Sequence, residues 1–96
     1  MINVPKKHLF IIKQILQKHI PDAEVRAFGS RVSGTAKIYS DLDLAIIEKN
    51  KITAKVLMQL KDDFEESDIP FRIDILDWYT ISDEFKTIIN KRYEII

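Results

Sequence analysis

The chain has 96 residues, no cysteine, and 15 basic residues against 15 acidic ones, so its formal net charge is zero. That length suits one small domain spanning 1–96. The missing cysteines exclude disulfides and thiolate metal ligands, and the charge balance speaks against a grip on bulk nucleic acid. With 46% apolar residues, no signal-peptide pattern at the N-terminus and no apolar run of membrane-spanning length, the expectation is a cytoplasmic protein without a membrane role.

From about Pro5 to His19, apolar residues recur at Leu9, Ile12, Leu16 and Ile20, which predicts an amphipathic helix stopped by Pro21. Val25 to Phe28 reads as a short buried strand. Ser30 is placed to cap a short helix that Gly34 ends. Leu42 to Glu48 is the clearest strand, with Leu42, Leu44 and Ile46 on one face and Asp41 and Asp43 on the other. Thr53 to Glu66 predicts a second long helix with Ile52, Val56, Leu57, Leu60 and Phe64 inward. Phe71 to Leu76 is a third strand that begins after Pro70. A last helix covers about Ser82 to Lys91, with Ile81, Phe85, Ile88 and Ile89 inward and Ser82 as its N-cap. The fold class expected is α/β (α+β): a single small domain with a mixed sheet of three or four strands flanked by helices.

The only two glycines of the chain, Gly29 and Gly34, both fall between the first two strands. Gly29-Ser30 follows a strand and opens a helix, where backbone N–H groups and the positive helix end favour a phosphate. Arg31 is a further phosphate-binding candidate, with pairing to Asp22 or Glu24 as the equal alternative. Asp41 and Asp43 are one residue apart and therefore share a strand face. Two such carboxylates repel unless a cation holds them, and Mg²⁺ is the usual cation for an all-oxygen site completed by phosphate and water. Asp74, between Ile73 and Ile75, is a third carboxylate pointing away from the core. If its strand lies beside that of Asp43, the three could hold two metal ions. Asp77 reads as a turn residue at a strand end. His8 and His19 read as partly buried flank residues of the first helix, and Trp78-Tyr79 as the cover of a core edge.

Gly29-Ser30, ten residues (31–40) and Asp41-Leu42-Asp43 together resemble the signature of the DNA polymerase β-like nucleotidyltransferases. The size and the wording Phe-Gly-Ser-Arg…Ser-Asp-Leu-Asp-Leu resemble the minimal nucleotidyltransferases (MNT) in particular. That resemblance implies that Gly29 and Ser30 hold the phosphates of ATP, that Asp41 and Asp43 bind Mg²⁺, and that Asp74 is the third carboxylate, which helps activate the incoming hydroxyl. Val32 and Ser33 depart mildly from the family's usual basic or small residues. The resemblance also implies a partner: minimal nucleotidyltransferases are often encoded beside an HEPN-domain, ribonuclease-type toxin, onto whose tyrosine they move AMP as the antitoxin of a type VII-like pair. A homo- or hetero-oligomer is compatible with that setting. Two other readings stay open at this point. One is a non-enzymatic antitoxin that neutralises its partner by occlusion. The other is a transferase for a small molecule or an RNA end.

Overall fold

The computed structural model describes residues 2–49 and 51–96. In chain order the elements are α1 (Lys6–His19), β1 (Glu24–Phe28), α2 (Ser30–Ser33), β2 (Leu42–Ile47), α3 (Ala54–Glu66), β3 (Ile73–Asp77), a 3₁₀ turn (Trp78–Thr80), α4 (Asp83–Lys91) and β4 (Glu94–Ile95). The strands form one mixed sheet in the order β3-β2-β1-β4. β1 runs antiparallel to β2 and β4, whereas β2 and β3 are parallel and joined through α3. A parallel pair needs such a crossover, since no tight turn can link two strands that run the same way.

Strand alternation gives the sheet two unlike faces. Val25 and Ala27 of β1, Leu42, Leu44 and Ile46 of β2, and Ile75 of β3 enter the larger core together with Ile12 and Leu16 of α1 and Leu60 and Phe64 of α3. Leu42, Leu44, Ile46, Ile12 and Leu60 are wholly buried there. The opposite face carries a smaller cluster of Phe28, Ala45 and Ile89, joined by Leu76, Trp78, Phe85 and Tyr93. α4 covers that face through its i, i+4 pair Phe85 and Ile89, and Phe85 meets Phe28 edge-on at 5.8 Å between ring centroids. Ile88, expected inward, is instead 61% exposed. A nine-residue helix lying on one patch of sheet buries a single line of side chains, and Ile88 sits a hundred degrees away from Ile89 around the helix.

The helix ends follow local chemistry. The Thr53 hydroxyl accepts from the Val56 N–H and the Ser82 hydroxyl from the Phe85 N–H, the N-cap arrangement that satisfies one orphan donor in each helix. At α2 the cap is Gly29 and not Ser30: the N–H groups of Val32 and Ser33 both donate to the Gly29 carbonyl, and Ser30 is the first helical residue. Gly34 ends α2 in the left-handed conformation, φ 87° and ψ 10°, which costs a residue bearing a Cβ more than it costs glycine.

Asp77 turns out to be a structural link. One carboxylate oxygen accepts from the Tyr79 N–H at 3.0 Å and the other from the Ile52 N–H at 3.3 Å, which ties the end of β3 to the entry of α3. No described helix is long and apolar enough to cross a membrane.

Candidate active site

Three segments meet at one end of the smaller-core face: the β1–α2 turn, the start of β2 and the start of β3. In the parallel register Asp43 stands directly opposite Asp74, and in the antiparallel register it stands opposite Phe28, the residue before Gly29. The sheet therefore gathers residues that are distant in sequence around Asp43. Asp41 precedes the first residue of β2 and belongs to the loop 35–41.

Gly29 explains why the turn and the acids form one site. Its backbone sits at φ 80° and ψ −157°, a region essentially closed to residues with a Cβ. A Cβ built there would also collide with the Asp43 carboxylate, while one at Gly34 would meet nothing within 4 Å. At Gly29 the glycine serves two needs, a backbone conformation and the close approach of a carboxylate. At Gly34 it serves only the first.

The electrostatics are those of an under-compensated anionic cluster. Burial raises the Asp43 pKa above its ordinary value, the charges of Asp74 and Asp41 push it further up, and Arg72 works the other way. Arg72, just ahead of β3, donates to Asp74 at 3.1 Å and lies 3.9 Å from Asp41. Its guanidinium is thus a cation already drawn to the acids. Its own pKa is raised by the hydrogen bond to Asp74 and by the charges of Asp74 and Asp41. Among the described residues no three acidic or histidine side chains are already closed around a single point. The donor set nevertheless fits a hard divalent cation: the oxygens are all carboxylate, the central group is destabilised as an anion by its neighbours, and the cluster attracts a positive group from its surroundings.

Arg31 has an unexpected place. It is 4% exposed. Its three guanidinium nitrogens donate to backbone carbonyls, Nε to Ser40 at 2.7 Å, Nη1 to Asn3 at 2.8 Å and Nη2 to Ile38 at 2.8 Å. Burial lowers its pKa and Asp41 pushes it back up. Neither Asp22 nor Glu24 is its partner: all three nitrogens of the guanidinium, a candidate for the nucleotide phosphates from the sequence, donate to backbone carbonyls here. A guanidinium satisfied by neutral carbonyls leaves no local sequence trace, since its partners are set by chain closure.

Arg72 is the residue that sequence reading missed. The available signal was spacing: two residues before Asp74 in an extended segment, it projects to the same side. Elsewhere, Arg26 lies over the rings of Tyr93 at 4.4 Å and Trp78 at 5.2 Å. This gives Trp78 a packing role at the edge of the smaller core. His19 pairs with Asp63 at 2.6 Å, linking α1 to α3, and His8 packs edge-on against Phe71.

Comparison with known proteins bears on the family and the fold. Residues 11–96 match the Polbeta family, described as Polymerase beta, Nucleotidyltransferase. A protein of Haemophilus influenzae named "Probable protein adenylyltransferase MntA" is 50% identical over 95 residues, 99% of this chain and 83% of that protein. A solved structure described as "Crystal structure of the toxin-antitoxin with AMP-PNP" matches with a TM-score of 0.76, covering 90% of this chain and 69% of the other. At 21% identity that likeness is one of fold.

Proposed function

Since this chain belongs to the polymerase β nucleotidyltransferase family, we propose that it is a protein adenylyltransferase that moves AMP from ATP to a tyrosine hydroxyl of an HEPN-type partner, and so acts as an antitoxin. The observation that carries this reading is the packing of Gly29 against Asp43, which makes the phosphate-favouring turn and the carboxylates walls of the same small space. The 50% identity to a protein named as an adenylyltransferase supports a protein acceptor over a small molecule, and the balanced charge of the chain supports it over a nucleic acid.

In this reading the Gly29 backbone and the first N–H groups of α2, with the Ser30 hydroxyl beside them, receive the triphosphate. Asp41 and Asp43 would hold Mg²⁺, two ions in the full complex with Asp74, and when bound these ions neutralise phosphoryl charge and orient the reacting groups. Asp74 faces Asp43 across the strand pair and takes the proton from the incoming tyrosine hydroxyl. The tyrosine oxygen bonds to the α-phosphorus as the bond to the bridging oxygen breaks, and pyrophosphate leaves. Arg72, already between Asp74 and Asp41, offsets part of the negative charge before ATP arrives.

The test is incubation of the protein and its neighbour-encoded partner with Mg²⁺ and ATP labelled at the α- or the γ-phosphate. The expected result is label on a partner tyrosine from the α position alone, lost with Asp43→Asn. A tight complex that takes no label from any nucleoside triphosphate would overturn the reading in favour of neutralisation by occlusion.

A further inference from the structure

Asp41 poses a positioning problem that the sheet does not solve. β2 begins at Leu42, whose N–H donates to the Arg72 carbonyl at 2.9 Å, so the ladder fixes the chain only on the C-terminal side of Asp41. On the other side lies the irregular loop 35–41. Its two large apolar side chains, Ile38 and Tyr39, are 79% and 78% exposed, so they do not anchor it to the core. Its internal bonds, Lys37 N–H to the Ser40 hydroxyl and Ser40 N–H to the Lys37 carbonyl, shape a local turn without joining it to the rest of the molecule.

The Thr35 N–H, donating to the Ser30 carbonyl at 3.2 Å, ties down only the start of the loop; nearer Asp41 the join is made from below, by Arg31. Two of its nitrogens hold the loop carbonyls of Ile38 and Ser40, the latter belonging to the residue directly before Asp41. The third holds the Asn3 carbonyl, and the Asn3 N–H donates back to the Arg31 carbonyl at 2.7 Å. The guanidinium plane stacks on Phe71 at 3.8 Å, next in sequence to the Arg72 that pairs with Asp41 and Asp74. The planar fork suits this task because one rigid group reaches three carbonyls at once and still stacks on a ring.

We propose that Arg31 is a positioning residue of the transferase: it fixes the loop 35–41 to α2, and thereby holds Asp41 near Asp43 so that the two can share a divalent cation. This inference rests on the proposed function, because it gives Asp41 and Asp43 a metal to share. Lysine in place of Arg31 keeps the charge but cannot span the three carbonyls, so the loop relaxes and the carboxylate pair opens.

The experiment is a titration of Mn²⁺ in the presence of a non-hydrolysable ATP analogue, followed by electron paramagnetic resonance, on the wild type, Arg31→Lys and Leu16→Ala. Leu16 lies in the larger core, so its truncation supplies a general loss of stability for comparison. The expected result is a fall in Mn²⁺ affinity of about 10- to 100-fold in Arg31→Lys, the range for groups that orient metal ligands. Leu16→Ala should keep wild-type affinity at a similar loss of melting temperature.

A folded Arg31→Lys that binds Mn²⁺ like the wild type overturns the clamp and leaves the proposed function standing. Equal loss in Leu16→Ala also overturns it, since the effect would then be general destabilisation. Absence of Mn²⁺ binding by the wild type defeats the clamp and the proposed metal chemistry together. Should Arg31→Lys fail to fold, Phe71→Leu removes only the stacking ring and is expected to weaken Mn²⁺ binding in the same direction by a smaller factor. Wild-type affinity in a folded Phe71→Leu would then overturn the clamp.

Discussion

Asp43 and Asp63 are two carboxylates of the same small fold whose proton affinities are shifted in opposite directions. Asp63, on the side of α3 that faces α1, has its pKa lowered, first by the hydrogen bond with His19 and with help from Lys18. Asp43, on the inner end of β2, has its pKa raised by burial and by two neighbouring carboxylates. The Asp63 charge is matched where it stands, whereas those at the candidate site are held in excess of their compensation. An unmatched, half-buried anion weakens the fold, and the natural reason to keep one is a cation or a developing charge that it meets during function.

Replacing Asp43 separates the two regions most sharply. Asp43→Asn should lower transfer by at least about 10²–10³-fold, the scale associated with one preorganised electrostatic group, and yet raise the melting temperature of the metal-free protein at neutral pH. A variant less stable than the wild type, with transfer intact, would erase the distinction between site and scaffold. The opposite behaviour is expected at Leu60, wholly buried between α3 and the sheet. Leu60→Ala should cost about 2–5 kcal/mol in denaturant unfolding, with the remaining folded protein transferring AMP at the wild-type rate.

The two glycines sharpen the comparison at smaller amplitude. Gly29→Ala must bear a disfavoured backbone, about 1–3 kcal/mol, and it also displaces the Asp43 carboxylate, so stability and transfer should fall together. Gly34→Ala bears only the left-handed backbone, about 1–2 kcal/mol, with open space around the new methyl group. Transfer per folded molecule should survive there, and Gly34→Asn should recover part of the stability. Equal loss of activity in both alanine variants would mean that the Gly29–Asp43 contact has no special role.

These regions also differ in how far the sequence discloses them. Helical periodicity placed α1, α3 and α4 to within a residue or two, and strand alternation put Asp43 and Asp74 on the same face, because both signals arise from local geometry. The carboxylates and Gly29 were legible through spacing. β4 was not, since Glu94–Ile95 is two residues long and exists only by pairing with Arg26 and Ala27 far away in the chain. The carbonyl partners of Arg31 and the place of Arg72 were hidden for a related reason. A long cation finds its partners after the chain has closed, and the sequence offers each arginine several acids and carbonyls of equal local merit. Ile88 shows the limit of pattern alone: it fits the apolar stripe of α4, but the sheet beneath is narrower than the stripe.

The smallest effect, and the one that tests the comparison at both ends, is the pH dependence of stability. For Asp63 the folded pKa lies below the unfolded one, so the unfolded state binds more protons in that window. Its contribution is fully present above the unfolded pKa and disappears as pH falls through the folded pKa. Asp63→Asn should therefore lower the melting temperature at neutral pH, and the deficit should vanish in acid. For Asp43 the folded pKa lies above the unfolded one, so the native state binds the extra proton and stability falls as pH rises through the interval between them. The gain from Asp43→Asn should thus appear as pH rises out of acid and disappear as pH falls through the unfolded pKa. Melting curves of the three proteins from acid to neutral pH, without divalent metal, should diverge in opposite directions from a common point. Parallel curves would show that Asp43 is compensated as fully as Asp63, and that the excess charge attributed to the site does not bear on the fold. Addition of Mg²⁺ at neutral pH should then stabilise the wild type and leave Asp43→Asn nearly unmoved, because a ligand stabilises only the state that binds it.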